Sequence, residues 1–172
     1  MKQYDLAVIG SGPAGQRAAI QAAKLGKSSL VIDKDALIGG VSLHSGTIPS
    51  KTLREAVLYL SGWRQRGFYG RSYRVKEQIT AEDLTQRLTL TIRHQVEVLQ
   101  HQLYRNRVDV ISGIAKFVDS NTLAITLEND DVQKITAQKF VIATGTVPAH
   151  PEHIPFDGKT IIDSDHILEI ES

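Results

Sequence analysis

Cysteine is absent from the 172-residue sequence. That excludes disulfide scaffolds, thiolate metal sites and thiol-based catalysis by this chain. An excess of one charge sign is lacking as well: 20 Lys and Arg against 19 Asp and Glu leave a formal +1. Such a balance provides no field to attract nucleic acid or an anionic membrane surface. No run of 18 apolar residues occurs, which excludes a helical membrane span, and the first residues lead into a strand pattern rather than a signal peptide. The expectation is a soluble, cytoplasmic chain with neither a membrane nor a nucleic-acid partner. Its apolar share of 41% is enough for the core of one domain with an embellishment.

What the sequence does have is patterned glycine. Leu6 to Ile9 form a short apolar run of the kind buried in a parallel sheet. Gly10, Gly12 and Gly15 follow in G-x-G-x-x-G spacing. The first permits a tight turn out of the strand, the second lets backbone N–H groups approach a pyrophosphate, and the third lets a helix lie close to the strand. That helix is expected from Pro13 to about Leu25, with Pro13 in its first turn and Ala14, Ala18, Ala19, Ala22 and Ala23 keeping it slim. A second apolar run, Ser29 to Ile32, delivers Asp33 at 18 residues beyond Gly15, near the ~20 at which a carboxylate meets ribose hydroxyls. Unpaired N–H groups and the positive dipole end mark the helix start as the place for a diphosphate. An α/β crossover that binds nothing is the competing reading; strand, glycines, helix, second strand and terminal acid together argue against it.

A second glycine cluster follows at Gly39, Gly40 and Gly46, with Thr47 placed to cap a helix whose body runs from Lys51 to about Leu60. On the residues alone, this is either a ligand-contacting loop or an ordinary helix start. Trp63 to Val75 interleaves aromatics with Arg64, Arg66, Arg71 and Arg74. That pattern suits single-stranded nucleic acid or, as favoured here, a solvated connector with its aromatics tucked onto the core. Thr80 and Asp83 form a capping box before a long helix to about Tyr104, with Leu84, Leu88, Ile92, Val96, Leu99 and Leu103 along one face. His94 and His101 read as surface histidines rather than metal ligands. Strands are expected at Val108 to Ile111, then at Ile114 to Val118, Leu123 to Leu127 and Val132 to Ile135 as a three-stranded meander. A separate buried parallel strand, Phe140 to Thr146, ends in Thr144-Gly145, where ligands bind in doubly wound folds. Pro148, Pro151 and Pro155 make an extended connector before a short helix from Asp165.

The fingerprint G-S-G-P-A-G at 10–15, followed by G-G-V-S-L-H-S-G-T-I-P-S-K at 39–51, resembles the FAD domain of the pyridine nucleotide–disulfide oxidoreductase family. The resemblance implies an α/β fold: a Rossmann-like FAD-binding domain over residues 1–172, with a helical insertion at about 50–105 and a β-meander at about 112–137. The family's redox loop carries two cysteines where this chain has Ser42 and Thr47. Dithiol chemistry is therefore excluded. His44 to Lys51, Thr52 to Val57 and Asp163 to Leu168 are similar to the soluble, FAD-containing transhydrogenase branch, which keeps threonine at the second cysteine position.

By that resemblance, Gly10, Gly12, Pro13, Ala14 and Gly15 hold the FAD pyrophosphate and Asp33 its ribose, and Lys34 is a further cofactor-binding residue. Gly39, Gly40, Val41, His44 and Gly46 bind the cofactor, as do Thr47 and Lys51 at the flavin; Ala115 presents backbone to the adenine, and Ala143, Thr144 and Gly145 close the pyrophosphate side. Lys51 and Thr47 are the residues assigned to catalysis: the lysine near the reactive flavin nitrogen, the threonine facing the ring. A solvated lysine and a helix cap are their bland counterparts. No metal is implied. The implied activity is hydride transfer between NADPH and NAD⁺ through tightly bound, non-covalent FAD, with NAD(H) and NADP(H) held by a domain outside these residues and a homodimer or higher oligomer for the complete protein. The chain is thus expected to be an N-terminal portion. Two other readings stay open: a non-catalytic flavin-binding module or split fragment needing a partner chain, and NAD rather than FAD at the first fingerprint.

Overall fold

The computed structural model describes residues 1–168. They form two compact units, Met1–Gly40 with Val96–Thr146 and Val41–Gln95 with the residues from Val147 onward. The first unit holds β1 (Lys2–Ile9), α1 (Pro13–Lys24), β2 (Ser29–Asp33), β3 (Asp109–Ser112), β4 (Ile114–Phe117), β5 (Thr122–Thr126) and β6 (Val132–Ile142) in one sheet of order β3-β2-β1-β6-β5-β4. Pairing is parallel from β3 through β2 and β1 to β6, and antiparallel from β6 through β5 to β4. The α/β architecture and the meander are as expected.

Side-chain alternation sends the two sheet faces into two cores. Leu30, Ile32, Leu123, Ile125 and Ile135 form one. Val8 and Val31 join Ala19, Ile20, Leu103 and Val108 in the other, under α1 and the end of α5 (Ala81–Arg105). Covering both faces is what makes β1 and β2 read as continuous apolar runs rather than alternating ones. Truncating a fully buried residue such as Leu30 or Ile32 to alanine removes about 2–5 kcal/mol. The edge of the sheet is tied by Asp109, whose Oδ2 accepts from Lys2 Nζ at 2.7 Å and from the Tyr4 hydroxyl at 2.8 Å. The lysine holds the Asp109 carboxyl below its ordinary range, while burial pushes the Tyr4 phenol up.

α1 begins and ends as its sequence dictates. Gly12 is its N-cap and Pro13 its first residue; at the far end Gly26 adopts a φ of 74° and the Lys27 N–H donates to the Ala22 carbonyl at 3.0 Å. One strand differs from expectation. Val132–Ile142 is a single eleven-residue strand, so the third meander strand and the parallel strand expected from Phe140 are one element. It pairs with β5 along its first half and with β1 from Ile135 to Ile142. It is not a buried strand at its end: Ile142 is 67% exposed, and Ala143 to Thr146 lie beyond it.

The second unit contains α2 (Val41–His44), α3 (Thr47–Leu60), α4 (Arg66–Tyr69) and the first part of α5. The capping box at α5 is present: the Thr80 N–H donates to Asp83 Oδ2 at 2.9 Å, and the Asp83 N–H returns to Thr80 Oγ1 at 3.3 Å. The apolar face is as expected, with Leu88, Val96 and Leu103 buried, and His94 and His101 are exposed. The aromatics of the 63–75 segment are not tucked onto a core. Trp63 is 66% and Phe68 88% exposed, and only Tyr69 and Tyr73 pair, with ring centroids 5.3 Å apart. In the connector, Asp163 joins two imidazoles, accepting at 2.6 Å from His150 Nε2 and at 2.8 Å from His166 Nδ1. These contacts hold its carboxyl well below the usual carboxylate range. The short helix from Asp165 is a 3₁₀ turn over His166–Leu168.

Candidate functional site

The turn after β1 brings three backbone segments together without room for side chains. A Cβ at Gly10, whose φ is 108°, would lie 2.1 Å from the Ala143 carbonyl oxygen. A Cβ at Gly15 would lie 2.0 Å from the Gly10 carbonyl oxygen, so α1 sits directly against the turn. The Ala143 N–H donates to the Ile9 carbonyl at 2.8 Å, which carries Ala143, Thr144 and Gly145 to the same end of the sheet as the fingerprint. Gly40, with a φ of 62°, leaves space for the Gly12 Cα, which its missing Cβ would approach to 2.8 Å.

Gly12 differs from its neighbours. A Cβ there would meet nothing within 4 Å, so the space before α1 is open. No side chain caps α1, and no acid stands in its first turn. The leading N–H groups and the positive end of the helix dipole therefore face that space. Asp33 closes β2 beside it, its Oδ2 accepting from the Ser11 N–H at 2.6 Å and its Oδ1 from the Asp35 N–H at 3.1 Å. Each carboxylate oxygen keeps a second acceptor direction for a hydroxyl. Lys34 is exposed next to it. Ala115 sits on β4, half-buried with its side chain packed on the first core; the Gly113 N–H, two residues earlier, donates to the Asp33 carbonyl at 2.7 Å.

The remaining expected residues lie in the second unit. Val41 and His44 are the ends of α2, a one-turn helix where a glycine-rich loop was expected. Gly46 is the N-cap of α3, and its N–H donates to the Val41 carbonyl at 2.6 Å. Thr47 is therefore not the cap; it is the first helical residue and makes no capping hydrogen bond. A cavity of about 670 Å³ opens in this unit between Val41, Gly46, Thr47 and Leu53 on one side and Ser164 and Leu168 on the other. Lys51 is exposed on α3. Among the described residues no group of three or more His, Asp or Glu could hold a metal, and no helix is long and apolar enough to cross a membrane.

Two residues with a part in this geometry were not singled out by sequence. Ser11 and Gln16 are buried polar side chains at the turn, and the Gln16 amide donates to the Ser11 carbonyl. The available signal was a polar residue between two glycines and another at the head of an alanine-rich helix.

Fold and turn together are those of a doubly wound α/β protein. The family described as pyridine nucleotide-disulphide oxidoreductase matches residues 4–171, and the chain belongs to it. Members of that family typically bind FAD and act on NAD(P). The chain is 49% identical over 173 residues to a soluble pyridine nucleotide transhydrogenase of Mycobacterium bovis BCG Pasteur, a match covering all of this chain and 37% of the relative. A protein of the same name from Colwellia psychrerythraea is 38% identical over 168 residues, covering 98% of this chain and 36% of that one. The chain thus spans a little over a third of the length of these relatives. Among solved structures, the crystal structure of LpdA from Mycobacterium tuberculosis superposes with a TM-score of 0.82 at 24% identity, covering 100% of this chain and 38% of that one, a likeness of fold.

Proposed function

We propose that this chain is the FAD-holding part of a flavoprotein that passes hydride between NADPH and NAD⁺ without a redox-active disulfide. The observation carrying the proposal is the open, acid-free start of α1 at Gly12, with Asp33 fixed beside it. An anionic diphosphate fits that cradle, and a side chain at position 12 would fill it. The relatives' name supports the transhydrogenase reading, as does the absence of cysteine at Ser42 and Thr47.

The chain's own residues then divide the work. N–H groups from Gly12, Ala14 and Gly15 hold the diphosphate oxygens, and Asp33 accepts from ribose hydroxyls. Gly10, Gly15 and Gly40 keep side chains out, so that backbone can approach. Ala143 to Gly145 close the far side of the diphosphate; in the second unit, Val41, His44 and Gly46 are the residues that the family resemblance assigns to the cofactor. Thr47 presents a hydroxyl and no thiol, so no dithiol step takes part. Lys51 supplies positive charge that favours the electron-rich state of the ring. FAD, when bound, supplies acceptance and return of the hydride. NAD(H) and NADP(H) sites, and the oligomer, belong to the remainder of a protein of the relatives' length.

The test is to release ligand from the purified chain and identify it by mass. FAD is expected; NAD in its place would replace the cofactor assignment, and no nucleotide after incubation with FAD would overturn it. Hydride transfer from NADPH to thio-NAD⁺ is expected of a protein extended to the relatives' length.

A further inference from the structure

We infer that the Ser11 side chain is a positioning residue for the cofactor site, the hydroxyl that fastens the 39–40 strap to the phosphate-binding turn. The inference rests on the FAD reading above. Ser11 is 0% exposed and is a junction of three hydrogen bonds to three different segments. Its N–H donates to Asp33 Oδ2 at 2.6 Å, at the end of β2. Its carbonyl accepts from the Gln16 side-chain amide in α1. Its Oγ accepts from the Gly39 N–H at 2.9 Å, across 28 residues of sequence.

The first two bonds use backbone atoms of Ser11 and do not depend on its side chain. Only the third depends on the side chain. Gly39 is itself buried, so its N–H has no water to turn to if the hydroxyl goes, and an unsatisfied buried donor is costly. Gly39 and Gly40 both have positive φ, 133° and 62°, a conformation with no intrinsic preference to persist in glycine. What keeps them in place is therefore contact, and Gly40 is the residue lying against the Gly12 Cα. Losing the Ser11 hydroxyl frees the strap to move away from Gly12, and the diphosphate loses one wall while the turn itself stands.

The experiment compares wild type with Ser11→Ala and Ser11→Gly, the latter removing the hydroxyl without adding a methyl group to a turn that tolerates glycine. Ser11→Cys keeps a weak acceptor at the same place. Amide exchange in the ligand-free chain and the rate of FAD release from the loaded chain are both read. Loss of protection at Gly39, with Leu30, Val31 and Ile32 still protected, and FAD release faster by roughly tenfold are expected for Ala and Gly, with Cys intermediate. Unchanged Gly39 protection, or unchanged FAD release with Gly39 unprotected, overturns the inference. If Ser11→Ala does not fold, Ser11→Gly decides alone. A wild-type chain that takes up no FAD overturns the cofactor reading itself, which separates that failure from a failure of Ser11.

Discussion

The Ser11 N–H donates to Oδ2 of Asp33 at 2.6 Å, so the acid that ends β2 is already bound to the turn that opens α1. On the proposed function Asp33 has two tasks in one side chain: holding the turn and offering its remaining lone pairs to a ribose. Asp33→Ala removes both and leaves the Ser11 N–H without its acceptor. Hydrogen bonds to a charged acceptor contribute about 1.5–3 kcal/mol, so FAD affinity should fall by roughly 10- to 100-fold. Asp33→Asn keeps an oxygen for Ser11 and should fall between. Equilibrium dialysis measures this, and an unchanged dissociation constant for Asp33→Ala refutes the ribose role.

The glycines of the fingerprint separate into two kinds. At Gly12 the φ of −64° is open to any residue and the Cβ direction is empty, so Gly12→Val should fold with a melting temperature close to wild type. It should nevertheless retain no FAD, because the valine occupies the diphosphate position. Gly10→Ala and Gly15→Ala drive a Cβ to about 2 Å from a carbonyl oxygen and should cost about 2–4 kcal/mol in folding whether or not FAD is present. Thermal unfolding with and without FAD sorts the three. A Gly12→Val chain that purifies with FAD would remove the diphosphate from this turn.

Why the first forty residues were legible and later ones less so follows from where each conformation is decided. The β1–α1–β2 crossover is set locally: branched apolar runs, glycines at fixed spacing, proline at the helix start and Gly26 at its end all agree. β6 was misread because Gln138 and Lys139 interrupt its apolar pattern. They are exposed, while Ile135 and Ala137 stay buried, so the strand continues through a polar patch. Thr47 reads as a cap because threonine is a common capping residue at the start of such a helix. The cap went to Gly46 through its hydrogen bond to Val41, a partner supplied by α2, which no local signal announced. Trp63 and Phe68 were assigned to a core because aromatics usually bury area, a rule that does not bind at single positions. Nothing local marks Ser11, because its partners, Asp33 and Gly39, are remote in sequence.

The capping box gives a pH prediction. Asp83 accepts from Lys76 Nζ and from the N–H and hydroxyl of Thr80, which lower its carboxyl from 3.8 to about 2. A carboxyl depressed in the folded state stabilises it fully above the unfolded value and ceases to do so as pH falls through the folded one. The start of α5 should therefore hold above pH 4 and fray progressively toward about pH 2. Asp157 is lowered to about 2 by three backbone N–H groups and titrates in the same window. Amide exchange at Ala81 to Thr85 assigns the change to α5, and Asp83→Asn should show the frayed exchange pattern at neutral pH with no further change in acid. Acid-insensitive exchange at these amides in wild type would show that the box does not hold the helix end.

Lys51 is exposed on α3 and adds a positive charge to a helix face that also carries Thr47 and Ser50. If that charge acts on the flavin, its removal disfavours the reduced, more negative cofactor more than the oxidised one. Lys51→Ala, made in a protein of the relatives' full length, should lower the midpoint potential by about 30 mV, the equivalent of ~1.4 kcal/mol for a two-electron couple. FAD content should be unchanged, because the residues proposed to hold the diphosphate and ribose lie on the β1–α1–β2 crossover. Lys51→Arg preserves the charge and should restore most of the potential, which a purely structural role for the lysine stem would also allow. The discriminating variant is therefore Lys51→Met, which keeps the stem and removes the charge. A potential equal to wild type in Lys51→Met would reduce Lys51 to a solvated surface residue and leave the field at the ring to backbone dipoles alone.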